Sequence, residues 1–308
     1  DLGIGILFPY VNSATQRDMM MNSVAPVWDG NETWLVLGGA SLYAAFPVAY
    51  STILPALYIP IFIMLAALIF RGVAFEFRFK AERTRLIWDV AFAGGSTVAT
   101  FAQGIILGTL VQGFQPQALA NHGSYQWLTP FSLLCGMALI FGYALLGATW
   151  LIGKTHGDLQ DSMYRIARLL LPVILMFMGL VSIWTPFISP AVYERWFSFP
   201  NFWLLLPLPL CTFIIAILAW RALWKKAERS PFFYVITIFL LCYAGFGISN
   251  WPYIIPRTTT IWEAAANSSS LIFILVGAVI LLPVLIGYSL YSYYIFRGKI
   301  TEESGYHH

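Results

Sequence analysis

Charged residues are scarce in this chain: Asp, Glu, Lys and Arg together make up 10% of its 308 residues, against about a quarter in an ordinary soluble domain. Cysteine is scarcer still. The three cysteines are too few for the disulfide framework of a small secreted module. The lack of charge also excludes a disordered chain and a nucleic-acid-binding protein, because both depend on many charged side chains. An integral membrane protein is the class that remains.

Apolar residues, in contrast, make up 59% of the sequence, and the mean hydropathy is +0.74. Long apolar runs between short polar breaks predict an all-α, polytopic membrane protein, since each helix that crosses the bilayer needs about 20 apolar residues. We expect nine transmembrane helices in one membrane domain over residues 1–308, with only the second half of the first helix present. The predicted spans are 1–12, 26–46, 51–77, 86–112, 127–153, 166–189, 201–222, 232–250 and 267–296.

The distribution of Lys and Arg predicts how these spans are oriented. Of the 17 basic residues, 14 fall in loops on one side of the predicted layout, whereas Arg195 and Arg257 fall on the other and Arg71 ends a helix. Basic residues are enriched in cytoplasmic loops. The bias therefore places the C-terminus in the cytoplasm and, with nine spans, the N-terminus outside.

Histidine is rare and lies outside the predicted spans: the four residues are His122, His156, His307 and His308. Haem within a membrane bundle is usually held by histidine. We therefore expect this chain to bind no haem and no metal ion of its own.

Ionisable residues near the spans are the candidate functional residues, because a charge in hydrocarbon is costly unless it is paired or hydrated. Asp1 opens the first span, and Asp29 and Glu32 begin the second. Spaced three apart, these last two share one face of a helix. Two interpretations stay open: the carboxylates stabilise the helix N-terminus through its dipole, or they form a proton-accepting cluster.

Arg71 and Glu76 end the third predicted span, and Asp89 opens the fourth. Five residues apart on a helix, Arg71 and Glu76 do not face each other, so we expect partners on other helices. The simpler alternatives are that Arg71 extends to the membrane surface and that Glu76 pairs with Lys80 one turn later. Asp89 is predicted to be a structural acid in the first turn of its helix.

Seven short motifs follow one another along the chain: DLGIG (1–5), WDGNETWL (28–35), GGA (38–40), AAFP (44–47), RGVAFEFR (71–78), PYIIP (252–256) and IWEAA (261–265). In this order and spacing they resemble subunit II of the cytochrome bd-type quinol oxidases. The resemblance extends over the whole chain.

The resemblance implies the second subunit of a bacterial respiratory terminal oxidase in the cytoplasmic (inner) membrane. Such a subunit folds as two four-helix bundles plus one peripheral helix and pairs with a similarly built subunit I. Subunit I holds the b- and d-type haems and the quinol site, whereas subunit II holds no haem. The complex oxidises quinol and reduces O2 to water with protons from the cytoplasm. A structural quinone in subunit II, a small accessory subunit and membrane lipid are further expected partners.

The resemblance also implies a proton route through Asp29 and Glu76, to which two further acids near the spans, Asp1 and Glu32, are added as candidates. Arg71 matches the family's arginine and is expected to be a structural or interface charge. Two positions depart from the family pattern, because relatives often have Gln at Glu32 and Asp at Glu76. A proton-coupled secondary transporter is the alternative function, although its acids are expected at the bilayer midplane.

Overall fold

The computed structural model of the protein describes residues 1–114 and 125–300. The described chain is almost entirely helical, as predicted, with one short β-hairpin as the exception. The helices, numbered in chain order, are α1 Leu2–Leu7, α2 Ala14–Asn22, α3 Trp28–Ala45, α4 Pro47–Ala56, α5 Tyr58–Lys80, α6 Arg85–Gln112, α7 Pro130–Lys154, α8 Gly157–Ile188, α9 Pro190–Phe197, α10 Asn201–Leu205, α11 Pro207–Trp224, α12 Ser230–Asn250, α13 Ile261–Ala264 and α14 Ser268–Ile295. The hairpin pairs β1 Tyr253–Ile255 with β2 Thr259–Thr260, antiparallel.

Seven helical segments within the two described ranges are long and apolar enough to cross a membrane. They are α5, α6, α7, α8, the continuous segment Asn201–Trp224, α12 and α14. Helix α3 is not among them, because Asp29, Asn31 and Glu32 in its first turns lower its mean hydropathy. The count of nine helices and the arrangement in two four-helix bundles stay predictions.

The predicted span 51–77 differs from the structure, which has two helices there. Helix α4 ends at Ala56, Leu57 leaves helical geometry, and α5 begins at Tyr58. The physical cause is Pro60, which has no N–H to donate and whose ring clashes with the carbonyl four residues earlier, on Ala56.

Helix α8 also begins earlier than predicted, at Gly157 instead of 166. Hydropathy detects only the apolar part of a helix, so its polar first turns were missed.

The centre of the molecule is built from helices that pack in chain order, α5 on α6, α6 on α7 and α7 on α8, with α1 inserted between α6 and α7. Helix α1 approaches its neighbours closely because Gly3 lies against the backbone of Tyr143 and Gly147, where a Cβ atom would overlap the Tyr143 carbonyl. This packing fixes the position of Asp1, the N-cap residue of α1.

One end of the molecule carries most of the basic residues, and we call it the basic end; it holds Lys80, Lys154 and Lys225. The segment after α14 is attached there. Lys154 donates hydrogen bonds to the carbonyls of Phe296 and Gly298, and Lys299 forms an ion pair with Glu228 at 2.6 Å. Helix α14 itself packs on α3 and has no buried residue, so nearly all of its apolar surface faces outward.

Candidate functional site

A cavity of about 580 Å³ lies among α1, α3, α5, α6 and α7, with residues of α12 and α14 on its far side. We call it the Arg71 cavity. Its polar and aromatic lining is made of Asp1, Asn31, Glu32, Trp34, Arg71, Gln103, Tyr143, Trp150, Phe232 and Tyr293, and the rest of the lining is aliphatic or glycine. Three of the predicted site residues, Asp1, Glu32 and Arg71, are therefore brought together from three separate helices.

Arg71 lies on the buried face of α5, where buried residues recur every three or four positions, the spacing of one side of a helix. The residue is 1% exposed, and its Nη1 donates to Glu32 Oε1 on α3. The guanidinium carbon also lies 5.2 Å from the ring centre of Phe75 and 5.8 Å from that of Trp28. Arg71 thus has a partner on another helix, as predicted, and does not extend to the membrane surface.

Arg71 has more hydrogen-bonding capacity than Glu32 uses. Its Nε and Nη2 atoms are buried and have no acceptor among the described residues, and the same holds for the indole nitrogen of Trp150, which also lines the cavity. Buried polar groups of this kind normally have a partner, in protein or in water. The cavity is therefore suited to hold polar or hydrogen-bond-accepting groups.

A chain of hydrogen bonds joins Asp1 to the last helix. Asn31 Nδ2 donates to Asp1 Oδ2 at 2.6 Å, and the Tyr293 hydroxyl donates to Asn31 Oδ1 at 2.9 Å. Across the cavity, the Tyr143 hydroxyl donates to Gln103 Oε1 at 3.1 Å. These contacts orient the carboxylate of Asp1 with respect to α3 and α14.

Asp29 and Glu76 lie outside the cavity, on the surface. Asp29 is exposed in the first turn of α3, where the N-cap position makes no side-chain hydrogen bond. Glu76 is exposed too, and its nearest basic partner is Lys80, one turn later, at 3.9 Å. In the sequence, Asp29 directly follows Trp28, and Glu76 directly follows Phe75. The rings of Trp28 and Phe75 are stacked in parallel, with their centres 4.9 Å apart.

Asp89 is placed differently from its prediction. It is the fifth residue of α6, beyond the first turn, and it belongs to a group of ion pairs at the basic end. Arg78, whose side chain has no exposed area, donates to both Asp18 and Asp89; Arg17 pairs with Asp89 at 2.8 Å, and Arg85 pairs with Asp18. In the sequence, these arginines indicate only which loops face the cytoplasm. The spacing of seven residues between Arg71 and Arg78, which puts both on one helix face, was the available signal.

Two further polar residues, His156 and Glu263, lie away from the cavity. His156 is exposed between α7 and α8; His122, His307 and His308 lie outside the described residues. Glu263 closes a capping box with Thr260 at the start of α13. Hydrogen bonds from the Thr260 backbone N–H and hydroxyl hold the pKa of Glu263 below its usual value. Glu263 thus has local contacts that explain it, and His156 Nδ1 lies 3.2 Å from Lys299 Nζ.

Comparisons with known proteins agree along the whole chain. The family described as cytochrome bd terminal oxidase subunit II matches residues 1–296. Cytochrome bd-I ubiquinol oxidase subunit 2 of Escherichia coli K12 is 29% identical over 342 residues, covering 98% of this chain and 90% of that protein. Cytochrome bd ubiquinol oxidase subunit 2 of Bacillus subtilis is 28% identical, covering 98% and 91%. A chain in the solved bd oxidase of Geobacillus thermodenitrificans superposes with a TM-score of 0.75 at 17% identity, covering 96% and 91%.

Proposed function

The chain belongs to the family of cytochrome bd terminal oxidase subunit II, and on this premise we propose that it carries part of the proton-uptake path of its oxidase. Membership makes it a subunit of a quinol oxidase, an oxidoreductase complex, with subunit I as its partner. Its seven candidate spans fit a multi-pass protein of the bacterial inner membrane. The transporter alternative finds no support, because the matching family and relatives are oxidase subunits.

The observation that carries the proposal is the Arg71 cavity, in which Glu32 and Asp1 meet a buried guanidinium. A carboxylate can pass on a proton only if it has hydrogen-bonding groups within reach, and within a membrane it persists only if it is paired or hydrated. Glu32 meets both conditions. Arg71 holds its carboxylate in place, and Asn31 and Tyr293 line the same cavity. Relatives often have Gln at this position, so the step through Glu32 is proposed for chains that carry the acid.

The proposed route runs from the basic end towards the cavity. Asp29 and Glu76, both exposed, accept protons at the surface. Glu32 lies three residues after Asp29 on α3, a rise of about 4.5 Å along the helix, and transfers them into the cavity. Asp1, hydrogen-bonded through Asn31, is the acid beyond it. In this proposal the basic end and the C-terminus face the cytoplasm and the N-terminus lies outside, in agreement with the distribution of Lys and Arg.

The redox groups belong, in this proposal, to subunit I, which carries the b- and d-type haems and the quinol site. This chain scaffolds that subunit through its outward apolar surface. Helix α14 supports this role, because none of its residues is buried within the chain, and an apolar surface of that size is typical of an interface or of contact with lipid. An accessory small subunit is a further expected partner.

The Arg71 cavity is also suited to bind a structural quinone. The unpartnered N–H groups of Arg71 and Trp150 are donors of the kind that a quinone carbonyl accepts. Leu68 and Phe232 provide apolar wall for a ring. Bound there, a quinone would act as a structural group and leave the redox chemistry to subunit I.

Turnover of the purified complex tests the proton path. In Glu32→Gln and Asp29→Asn variants the amide keeps the shape of the side chain but cannot exchange a proton as the acid does. We expect quinol:oxygen turnover per haem to fall by about a hundredfold in Glu32→Gln and less in Asp29→Asn, since Glu76 offers a second entrance. Asp161→Asn is the control. Asp161 lies in the exposed start of α8 and pairs with Lys226, and it is not part of the proposed route. Parental turnover per haem in Glu32→Gln would overturn the proposal.

A further inference from the structure

One face of α5 contacts the segment that carries the proposed proton acids at three successive points. Arg71, Phe75 and Arg78 are all buried and follow at intervals of four and three residues, so they lie along one line on the helix. The line spans seven residues, or about 10 Å. Their partners on the α2–α3 segment are, in the same order, Glu32, Trp28 and Asp18.

The contact at Arg78 anchors helix α2. Arg78 joins Asp18 of α2 to Asp89 of α6. The neighbouring Arg17 strengthens the attachment, because its Nη1 pairs with Asp89 at 2.8 Å and its Nε donates to the Val11 carbonyl at 2.7 Å. Helix α2 is thereby fixed to α5 and α6, and to the segment between α1 and α2, at the basic end.

The connection from α2 to α3 is short and packed. Val24 and Val27 of this connection are buried, the Ser23 hydroxyl donates to the Met20 carbonyl at 2.7 Å, and the Trp28 N–H donates to the Val24 carbonyl at 2.9 Å. A displacement of α2 is therefore transmitted to the first turns of α3.

We infer that Asp18 and Arg78 are positioning residues for the proton acids of α3. They touch no proton acid themselves; they hold α2, and through α2 the start of α3, against the face of α5 that carries Arg71. The inference rests on the proposed function for its effect on turnover, whereas its structural part, the fixing of residues 23–32, can be measured separately.

Asp18→Asn is the variant of choice. Loss of the Asp18 carboxylate leaves Arg78 paired with Asp89. The buried guanidinium therefore keeps one carboxylate partner, and the fold is expected to persist. Replacing Arg78 itself would leave two carboxylates without their central partner and is expected to impair folding. Asp161→Asn is the matched control, since it also removes an aspartate from an ion pair at the basic end. Asp18→Glu, which keeps the charge, is the conservative variant.

Hydrogen exchange in the purified two-subunit oxidase gives the structural measurement. Amides of residues 23–32 are expected to exchange faster in Asp18→Asn than in the parental complex, and at the parental rate in Asp161→Asn and Asp18→Glu. Turnover per haem is expected to fall in Asp18→Asn by up to about a hundredfold, as for a misplaced reacting group, with a larger solvent deuterium isotope effect and unchanged haem content. A merely structural role would not change the isotope effect.

A double-mutant cycle connects the two measurements. If Asp18 acts through Glu32, then adding Asp18→Asn to Glu32→Gln leaves turnover per haem at the value of Glu32→Gln alone. Independent, multiplicative losses would overturn the inference, as would parental exchange of residues 23–32 in Asp18→Asn. Parental turnover in Glu32→Gln would instead overturn the proposed function, and the exchange rates would still decide whether Asp18 holds α3 in place.

Discussion

Arg71 of α5 and Glu32 of α3, 39 residues apart in the sequence, form an ion pair in the wall of the Arg71 cavity. The two side chains differ in exposure, 1% for Arg71 and 29% for Glu32. Removing the partner of a buried charge destabilises a protein far more than the pair itself stabilises it. The consequences of changing Arg71 and of changing Glu32 are therefore expected to differ.

Arg71→Gln is expected to impair assembly before it affects chemistry. Loss of the guanidinium leaves the partly buried Glu32 without its counter-ion and removes the contacts of Arg71 with the rings of Trp28 and Phe75. Glu32→Gln, in contrast, keeps an amide oxygen that can accept a hydrogen bond from the buried guanidinium. The haem-to-protein ratio of the purified complex and its thermal unfolding temperature should both fall. The double variant Arg71→Gln/Glu32→Gln serves as control, since it removes both charges and should recover part of that loss. Full haem content in Arg71→Gln alone would contradict the structural role assigned to this pair.

The chain expressed without subunit I is expected to bind no haem. We base this on the predicted spans, which contain no histidine, and on the family to which the chain belongs. Visible absorption spectra should show no Soret band for the isolated chain and both b- and d-type bands for the two-subunit complex. Stoichiometric haem in the isolated chain would place redox chemistry in this subunit.

Cysteine labelling tests which end of the molecule faces the cytoplasm. Lys225 at the basic end and Ser198 at the opposite end are both exposed. In intact cells, an impermeant thiol reagent should label Ser198→Cys and leave Lys225→Cys unlabelled until the membrane is opened. The parental chain, with its own three cysteines, gives the background. The reverse pattern would invert the orientation and put the proposed proton entrance on the wrong side.

The attachment of the C-terminal segment is expected to weaken in acid. Hydrogen bonds from Lys299 and Gln160 lower the pKa of Glu228 below its usual value of 4.5. A group with a lowered folded-state pKa stabilises the folded form above its unfolded pKa, and that contribution is lost as the pH falls through the folded-state value. The effect is small, because Glu228 is largely exposed.

A nitroxide label at Ile300→Cys, in a chain without Cys211 and Cys242, reports on this attachment. Its mobility should rise as the pH falls through the titration of Glu228, and Glu228→Gln should show the mobile spectrum already at neutral pH. Glu263→Gln, which alters a capping box elsewhere, should behave as the parental chain. A spectrum that is unchanged in Glu228→Gln would show that Lys154 alone holds the segment.

Helix positions could be predicted well where apolar composition decides them. Helices α6, α12 and α14 begin and end within two residues of the predicted spans, since few charges interrupt them. The break at Leu57 was missed because it depends on Pro60 acting on a carbonyl one turn earlier, which a hydropathy pattern does not register. The hairpin after α12 was missed for a similar reason, since only five residues form its strands.

The site could be predicted only in its residue types. Asp1, Glu32 and Arg71 were recognised as costly charges near the membrane, but their meeting in one cavity depends on how three helices pack. Asp29 and Glu76 carry the family motifs, yet packing leaves both on the surface. The role of Arg78 was hidden because its partner Asp18 lies 60 residues earlier in the sequence, and an arginine near a helix end equally indicates orientation.

Time-resolved proton uptake tests the central claim most directly. The fully reduced complex, in parental and Glu32→Gln form, is mixed with O2 in weakly buffered solution, and a pH-indicating dye is followed together with haem absorption. The account predicts that O2 binding to the haem stays at the parental rate in Glu32→Gln while proton uptake slows by about a hundredfold. Uptake at the parental rate in this variant, with full haem content, would contradict a proton path through the Arg71 cavity.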